Sequence, residues 1–282
     1  MPTINQIKSL IHAYNQHDDD NFRTIILQIA AHEAKLGHYD TAQELKKEAN
    51  NLAALHTTPY TTPQSLQYSM PNLKLELLII DKVILSQIQQ ILYEYRNKSK
   101  LYNNGLSNKR KIILMGKSGT GKAFTAAVIA SELHLPLFTF KSSDIQTNTL
   151  YQIFENMSTV IAVYLFDTIN ANKDWNILLP FIEKDSSNSI IIVTTTKSKT
   201  SLKIFDDVIT YALPDSEQLR SFCNAKLATR YTCSEQIIAA IQGFSYTDLS
   251  LICDNVLKDA ILYNTPINDT SLLSAINSYK AI

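Results

Sequence analysis

Eight residues, "GKSGTGKA" from Gly116 to Ala123, carry the clearest chemistry in the chain. Glycines at this spacing let the backbone turn its N–H groups inward onto phosphate oxygens. Lys122 adds a point charge aimed at β- and γ-phosphates. An apolar helix follows and offers its N-terminal dipole to the same anion. An intact loop of this kind continues with Ser or Thr, whose hydroxyl ligates Mg²⁺. Ala123 stands there instead and has no oxygen to give. Thr125 is no substitute, because two residues along a helix points to another side. Phosphate is therefore expected on Gly116, Lys117, Ser118, Gly119, Thr120, Gly121, Lys122 and Ala123, with Mg²⁺ held weakly or through water.

Mg²⁺-nucleotide chemistry also needs a carboxylate at the end of a neighbouring strand. "VIAVYLFDTIN" supplies Asp167 after an apolar run, placed to hold the metal's hydration shell. Hydrolysis further needs an acid that polarises water, and the next residue is Thr168. Ile169, Asn170 and Ala171 offer no replacement.

These residues need a scaffold of strand, loop and helix. "KIILM" reads as a buried strand running into the Gly-rich loop, and "AFTAAVIASEL" as the helix after it. Further strands are expected at "LPLFTF", "VIAVYLFD", "SIIIVTTT" and "DDVITYAL", with helices at "LYQIFENM" and "DWNILLPFIEK". Strands alternating with helices imply a parallel sheet covered on both faces. The Gly-rich loop and Asp167 are expected at the carboxyl ends of adjacent strands. A long amphipathic helix is expected over 81–102. These elements place an α/β domain at 73–213.

Residues 214–282 read as a helical subdomain. "DSEQ", "TCSE" and "SYTD" each set a capping side chain three residues before an acid or amide. Residues 1–55 read as a small bundle of three helices, with Ile4, Ile7, Leu10, Ile11 and Tyr14 on one face and Gly37 as a C-cap. Between them, "HTTPYTTPQSLQYSMPN" has no hydrophobic period, and its prolines break helices. Residues 56–72 are expected to be a linker.

The composition narrows the functional classes. The 282 residues balance 26 Lys+Arg against 26 Asp+Glu, which gives no electrostatic case for nucleic acid or an anionic membrane. The apolar runs are far shorter than the ~20 residues of a membrane span. Cys223, Cys233 and Cys253 form no paired metal motif, and the six His are scattered, so reduced thiols in the cytoplasm are expected.

Taken in order, these motifs resemble the AAA branch of the AAA+ ATPases, over about Leu73 to Ala260. "NNGLSNKRKIILMGKSGTGKA" is similar to that family's Gly-Leu segment, strand and Walker A loop. "YLFDTINA" resembles Walker B, usually Asp-Glu-x-Asp. "IIIVTTTKS" resembles the sensor 1 strand, with Thr196 or Lys197 at the Asn position. "LKIFDDVITYALPDSEQL" resembles the arginine-finger stretch and the entry to the lid. "GFSYTDLSLICDNVLKDAI" resembles the lid helix that begins Gly-Phe-Ser-Gly-Ala-Asp-Leu.

The resemblance implies a P-loop NTPase core with a five-stranded parallel sheet and a helical lid. It also implies ATP or ADP with Mg²⁺, an adenine pocket near Leu106, and a homo- or hetero-oligomeric ring acting on a protein partner. The attached N-terminal bundle resembles bacterial AAA proteins that work beside a partner such as a protease. The finger stretch reads Lys203-Ile204-Phe205-Asp206, without arginine, and no aromatic-x-Gly pore loop follows "LFTFKSSDI". General-base help is worth roughly 10²–10⁴ in rate and an arginine finger roughly 10³–10⁵. Lacking both, the chain is expected to bind nucleotide and turn it over very slowly or not at all. An active ATPase whose ring partner supplies the missing groups, and an interaction module without nucleotide, are the alternatives.

Overall fold

The structure is a computed structural model that describes residues 4–15, 19–57, 67–157, 160–197, 203–227 and 231–280. The chain divides into two compact units, Met1–Gln64 and Ser65–Ile282.

The first unit holds α1 (Ile4–Asn15), α2 (Asp19–Lys35) and α3 (Tyr39–Thr57). Ile25 and Ile29 form its centre, with Leu10, Phe22 and Leu45 packed against them. Ile7 and Ile11, expected on the buried face of α1, are exposed. Gly37 ends α2 in the left-handed region (φ 86°). There the N–H of His38 reaches the carbonyl of Glu33, and that of Gly37 the carbonyl of Ala34, as in a Schellman motif.

The second unit is built on one sheet. In chain order its elements are β1 (Gln67–Ser69), α4 (Lys82–Arg96), α5 (Lys98–Tyr102), β2 (Lys111–Gly116), α6 (Lys122–Glu132), β3 (Leu137–Phe140), α7 (Thr147–Met157), β4 (Val163–Phe166), α8 (Asn172–Lys184), β5 (Ile190–Thr195) and β6 (Asp207–Tyr211). Four helices follow: α9 (Ser216–Leu227), α10 (Glu235–Ala240), α11 (Tyr246–Leu262) and α12 (Asp269–Lys280). The sheet order is β1-β3-β4-β5-β2-β6. The five strands from β2 to β6 run parallel, as the alternating pattern implies.

Alternation along the strands explains the two covered faces. Ile112, Leu114, Leu165, Ile192 and Ile209 face α4 and α6. Ile113, Phe140, Phe166, Ile191 and Val193 face α7 and α8. Both sides of each central strand are therefore apolar, which is why these strands read as unbroken apolar runs.

Three details differ from the sequence reading. The expected linker at 56–72 is partly ordered structure: α3 continues to Thr57, and Gln67–Ser69 pairs antiparallel with β3 as a sixth, edge strand. The helix expected over 81–102 breaks at Asn97, whose N–H closes the last turn of α4 onto Tyr93 and Glu94. β2 and β4 are not adjacent, because β5 lies between them.

The C-terminal helices form their own core around Leu219, Ile237, Leu249, Ile252 and Ile276. Asp215 and Gln218 cap α9 reciprocally, side chain to main chain (2.8 and 3.0 Å). Ser245 and Asp248 form a full capping box at α11. At α10 the cap is Ser234 rather than Thr232, because the helix starts at Glu235. Among the described residues, no helix is long and apolar enough to cross a membrane.

Candidate functional site

The Gly-rich loop joins β2 to α6, and its glycines sit where no other residue would. Gly116, Gly119 and Gly121 have φ of 145°, 76° and 92°. A Cβ on Gly116 would lie 2.9 Å from Tyr211 Cβ in the neighbouring β6, and closer still to the Tyr211 carbonyl. Gly121 is the N-cap of α6 and contributes no side chain. The first-turn N–H groups of α6 lack partners within the helix, an arrangement able to receive an anion.

Lys122 opens α6 and folds back over the loop. Its Nζ donates to the carbonyls of Gly116 (2.8 Å) and Lys117 (2.6 Å). Burial lowers its pKa, and the charge of Asp167 acts in the opposite direction. Thr120 braces the loop, its Oγ1 donating to the Lys117 carbonyl (2.9 Å). Lys117, Ser118 and Ala123 are exposed. Thr125 is fully buried: its hydroxyl donates to the Gly121 carbonyl (3.0 Å) and accepts from the Tyr211 hydroxyl (2.8 Å). It clamps the loop to β6 and does not enter the mouth. Burial pushes the Tyr211 hydroxyl up to about 12, against the effect of this bond.

Asp167 follows β4 directly. Its N–H donates to the Phe140 carbonyl (2.7 Å), fixing it to β3. Its Oδ1 accepts from Thr194 Oγ1 (2.6 Å), and Thr194 Oγ1 accepts in turn from the Thr168 N–H (2.7 Å). Thr194 thus bridges the carboxylate and the turn behind it, from a side chain with no exposure. Thr168 holds φ 60°, an uncommon backbone for a β-branched residue. Thr196, the sensor 1 candidate, is exposed and does not touch Asp167. Its N–H and Oγ1 reach Asn170 Oδ1 (2.9 and 3.0 Å), which also accepts from Thr195 Oγ1 (3.0 Å). The sequence reading passed over Thr194 and Asn170. The run Thr194-Thr195-Thr196 at the end of an apolar strand was the available signal.

Two cavities flank the loop. One, of about 500 Å³, lies between Leu77–Ile80, Gly119, Gly121, Phe124 and Phe222. The other, of about 450 Å³, reaches from Asp81 and Ile84 to Thr120, Tyr211 and Asp215. Tyr246 lines both. Leu106, expected beside an adenine, lines neither and is 59% exposed in the turn after α5. The apolar wall comes instead from Leu77–Ile80, Phe124 and the C-terminal helices. Asp206 in the expected finger stretch accepts from the Arg110 and Lys111 N–H groups (2.9 and 2.8 Å) at the start of β2, the strand end opposite the loop.

The arrangement fits an adenine nucleotide. A glycine cradle carries the lysine, Asp167 acts on that lysine's charge, and an apolar cavity of ordinary ligand-site size adjoins Gly119 and Gly121. It fits Mg²⁺ less fully. Ala123 has no oxygen, and among the described residues no three His, Cys, Asp or Glu side chains gather as a metal site.

Comparison with known proteins agrees. Residues 112–207 match the family described as "ATPase family associated with various cellular activities (AAA)". An uncharacterized AAA family ATPase of Sinorhizobium fredii (strain NBRC 101917 / NGR234) is 22% identical, over 91% of this chain and 88% of that protein. A chain solved in work on the structural basis for katanin self-assembly superposes with a TM-score of 0.63 at 17% identity, covering 76% of this chain and 87% of that one. The glycine loop at the end of β2, the acid after β4 and the helical C-terminal part are arranged on this same fold, and residues 112–207, which carry the loop and the acid, match the AAA family of P-loop ATPases.

Proposed function

We propose that the chain binds ATP or ADP at Gly116–Ala123 and hydrolyses it weakly or not at all, using nucleotide to regulate assembly or a protein partner. One observation carries this reading. The cradle with Lys122 is complete, whereas the metal hydroxyl position is Ala123 and the water-polarising position is Thr168, an exposed residue. Asp167 would hold Mg²⁺ through water, and the phosphates would supply the other ligands. The nucleotide's phosphates would take over the bonds Lys122 now makes to the loop carbonyls.

Assembly with copies of itself or with related chains is supported by the resemblance to the AAA family, whose members place nucleotide between subunits. The helical C-terminal part would serve as the lid.

The test is calorimetry with ATP and ADP, with and without Mg²⁺, alongside a phosphate-release assay. We expect binding that Lys122→Ala removes, and phosphate release near background. Turnover at roughly 1 s⁻¹, the low end of ordinary enzymes, by the unmodified protein and abolished in Lys122→Ala would overturn the inactive reading.

A further inference from the structure

The N-terminus of α11 lies directly against the Gly-rich loop. The Tyr246 N–H donates to the Gly119 carbonyl (3.0 Å). A Cβ on Gly119 would lie 2.8 Å from Ser245 Cβ and 3.0 Å from Thr247 Oγ1, so the loop has no room to spare on this side. The Tyr246 side chain then crosses to the other wall: its hydroxyl donates to the Ile79 carbonyl (2.5 Å). Its ring packs on Phe222 of α9, with centroids 5.1 Å apart. One residue thus ties the C-terminal helices to the loop by its main chain and to the segment before α4 by its side chain. It also lines both cavities beside the loop.

The motif this stretch resembles has Gly-Ala where the chain has Tyr246-Thr247. Glycine there could make the main-chain bond to Gly119 but not the bridge to Ile79. The bridge is therefore a contact that the Gly-Ala form of the motif does not provide.

We propose that Tyr246 is a nucleotide-gating residue, a latch that holds the C-terminal helices shut over the Gly-rich loop until its bond to Ile79 breaks. The proposal rests on the nucleotide-binding reading above. A nucleotide whose phosphates sit at Gly119–Lys122 and whose base enters the cavity beside Phe222 would lie against Tyr246, which lines that cavity. Burial, together with the nearby Asp215 charge, pushes the Tyr246 hydroxyl up to about 12. The hydroxyl therefore stays a donor at neutral pH.

Tyr246→Phe separates the latch from the packing, since phenylalanine keeps the ring against Phe222 and removes only the donor. Two measurements on the full chain test it. Hydrogen exchange on the nucleotide-free protein should show faster exchange at the Tyr246 amide and through 77–80. Stopped-flow mixing with a fluorescent N-methylanthraniloyl ATP should show association faster by roughly two- to tenfold, the worth of one net hydrogen bond. Unchanged exchange overturns the latch. Faster exchange with an unchanged association rate overturns its role as a gate. If neither protein takes up the labelled nucleotide, the nucleotide reading fails and the gate fails with it, a result distinct from binding at equal rates.

Discussion

Thr194→Val tests whether Thr194 holds Asp167 in place. Valine preserves the β-branched shape and deletes the hydroxyl. Two bonds vanish together: the charge-assisted donor to Asp167 Oδ1 and the acceptor for the Thr168 N–H. A hydrogen bond to a charged group is worth about 1.5–3 kcal/mol and a neutral one about 1 kcal/mol. Water can reach the half-buried Asp167 and recover part of this, so a destabilisation of about 2 kcal/mol is expected. Thr196→Val is the control. It also deletes a hydroxyl from this stretch, but the residue is exposed, and Asn170 Oδ1 keeps the Thr195 hydroxyl and the Thr196 N–H. Its cost should stay within about 0.5 kcal/mol. Urea unfolding followed by tryptophan fluorescence reads the right place, because the single Trp, Trp175, is buried and donates to the Ile169 carbonyl in the same turn (2.9 Å). Calorimetry should also show weaker Mg²⁺-dependent nucleotide binding for Thr194→Val. Equal midpoints for the two variants at unchanged slope would refute the argument.

Three further outcomes are expected. Gly116→Ala should cost about 2–4 kcal/mol, since its Cβ meets Tyr211 and its φ is positive, whereas Gly105→Ala, with nothing within 4 Å, should cost only about 1 kcal/mol of backbone strain; unfolding midpoints compare them. Tyr211 has its folded pKa raised from 10.0 to about 12, so the neutral form is favoured in the folded state, and its stabilisation is intact below pH 10 and lost as pH rises from 10 to 12. That loss is at most about 3 kcal/mol, and Tyr211→Phe should flatten unfolding curves over this range. Ala123→Thr should tighten ATP binding in Mg²⁺ and leave it unchanged in EDTA, by titration calorimetry, because it restores a metal ligand without touching the backbone cradle.

The sheet was legible because each central strand is apolar on both faces and is followed by a helix or turn. The loop was legible because glycine and lysine at fixed spacing have few other uses. What stayed hidden depends on assembly. The pattern along β2 and β4 does not encode that β5 lies between them. β1 has no apolar alternation to announce it and is held by its backbone. The cavity wall at Leu77–Ile80 and Phe222 joins segments over a hundred residues apart, which no local pattern reveals; Leu106, near the loop in sequence, lines neither cavity. Tyr246 stood in plain view as a departure from Gly-Ala, but its reach to Ile79 spans 167 residues.

The short strand β1 also bears on how the protein can be dissected. It covers the outer edge of β3, whose sequence "LFTF" is uncharged and rich in strand-forming residues. A shortened chain that begins at Leu73, where composition places the start of the α/β domain, loses β1 and exposes that edge. An uncovered edge of this kind templates pairing with other molecules. Such a fragment would self-associate on purification, and its aggregates would be mistaken for ring assembly. A fragment beginning at Ser65 retains the strand and keeps the two phenomena apart.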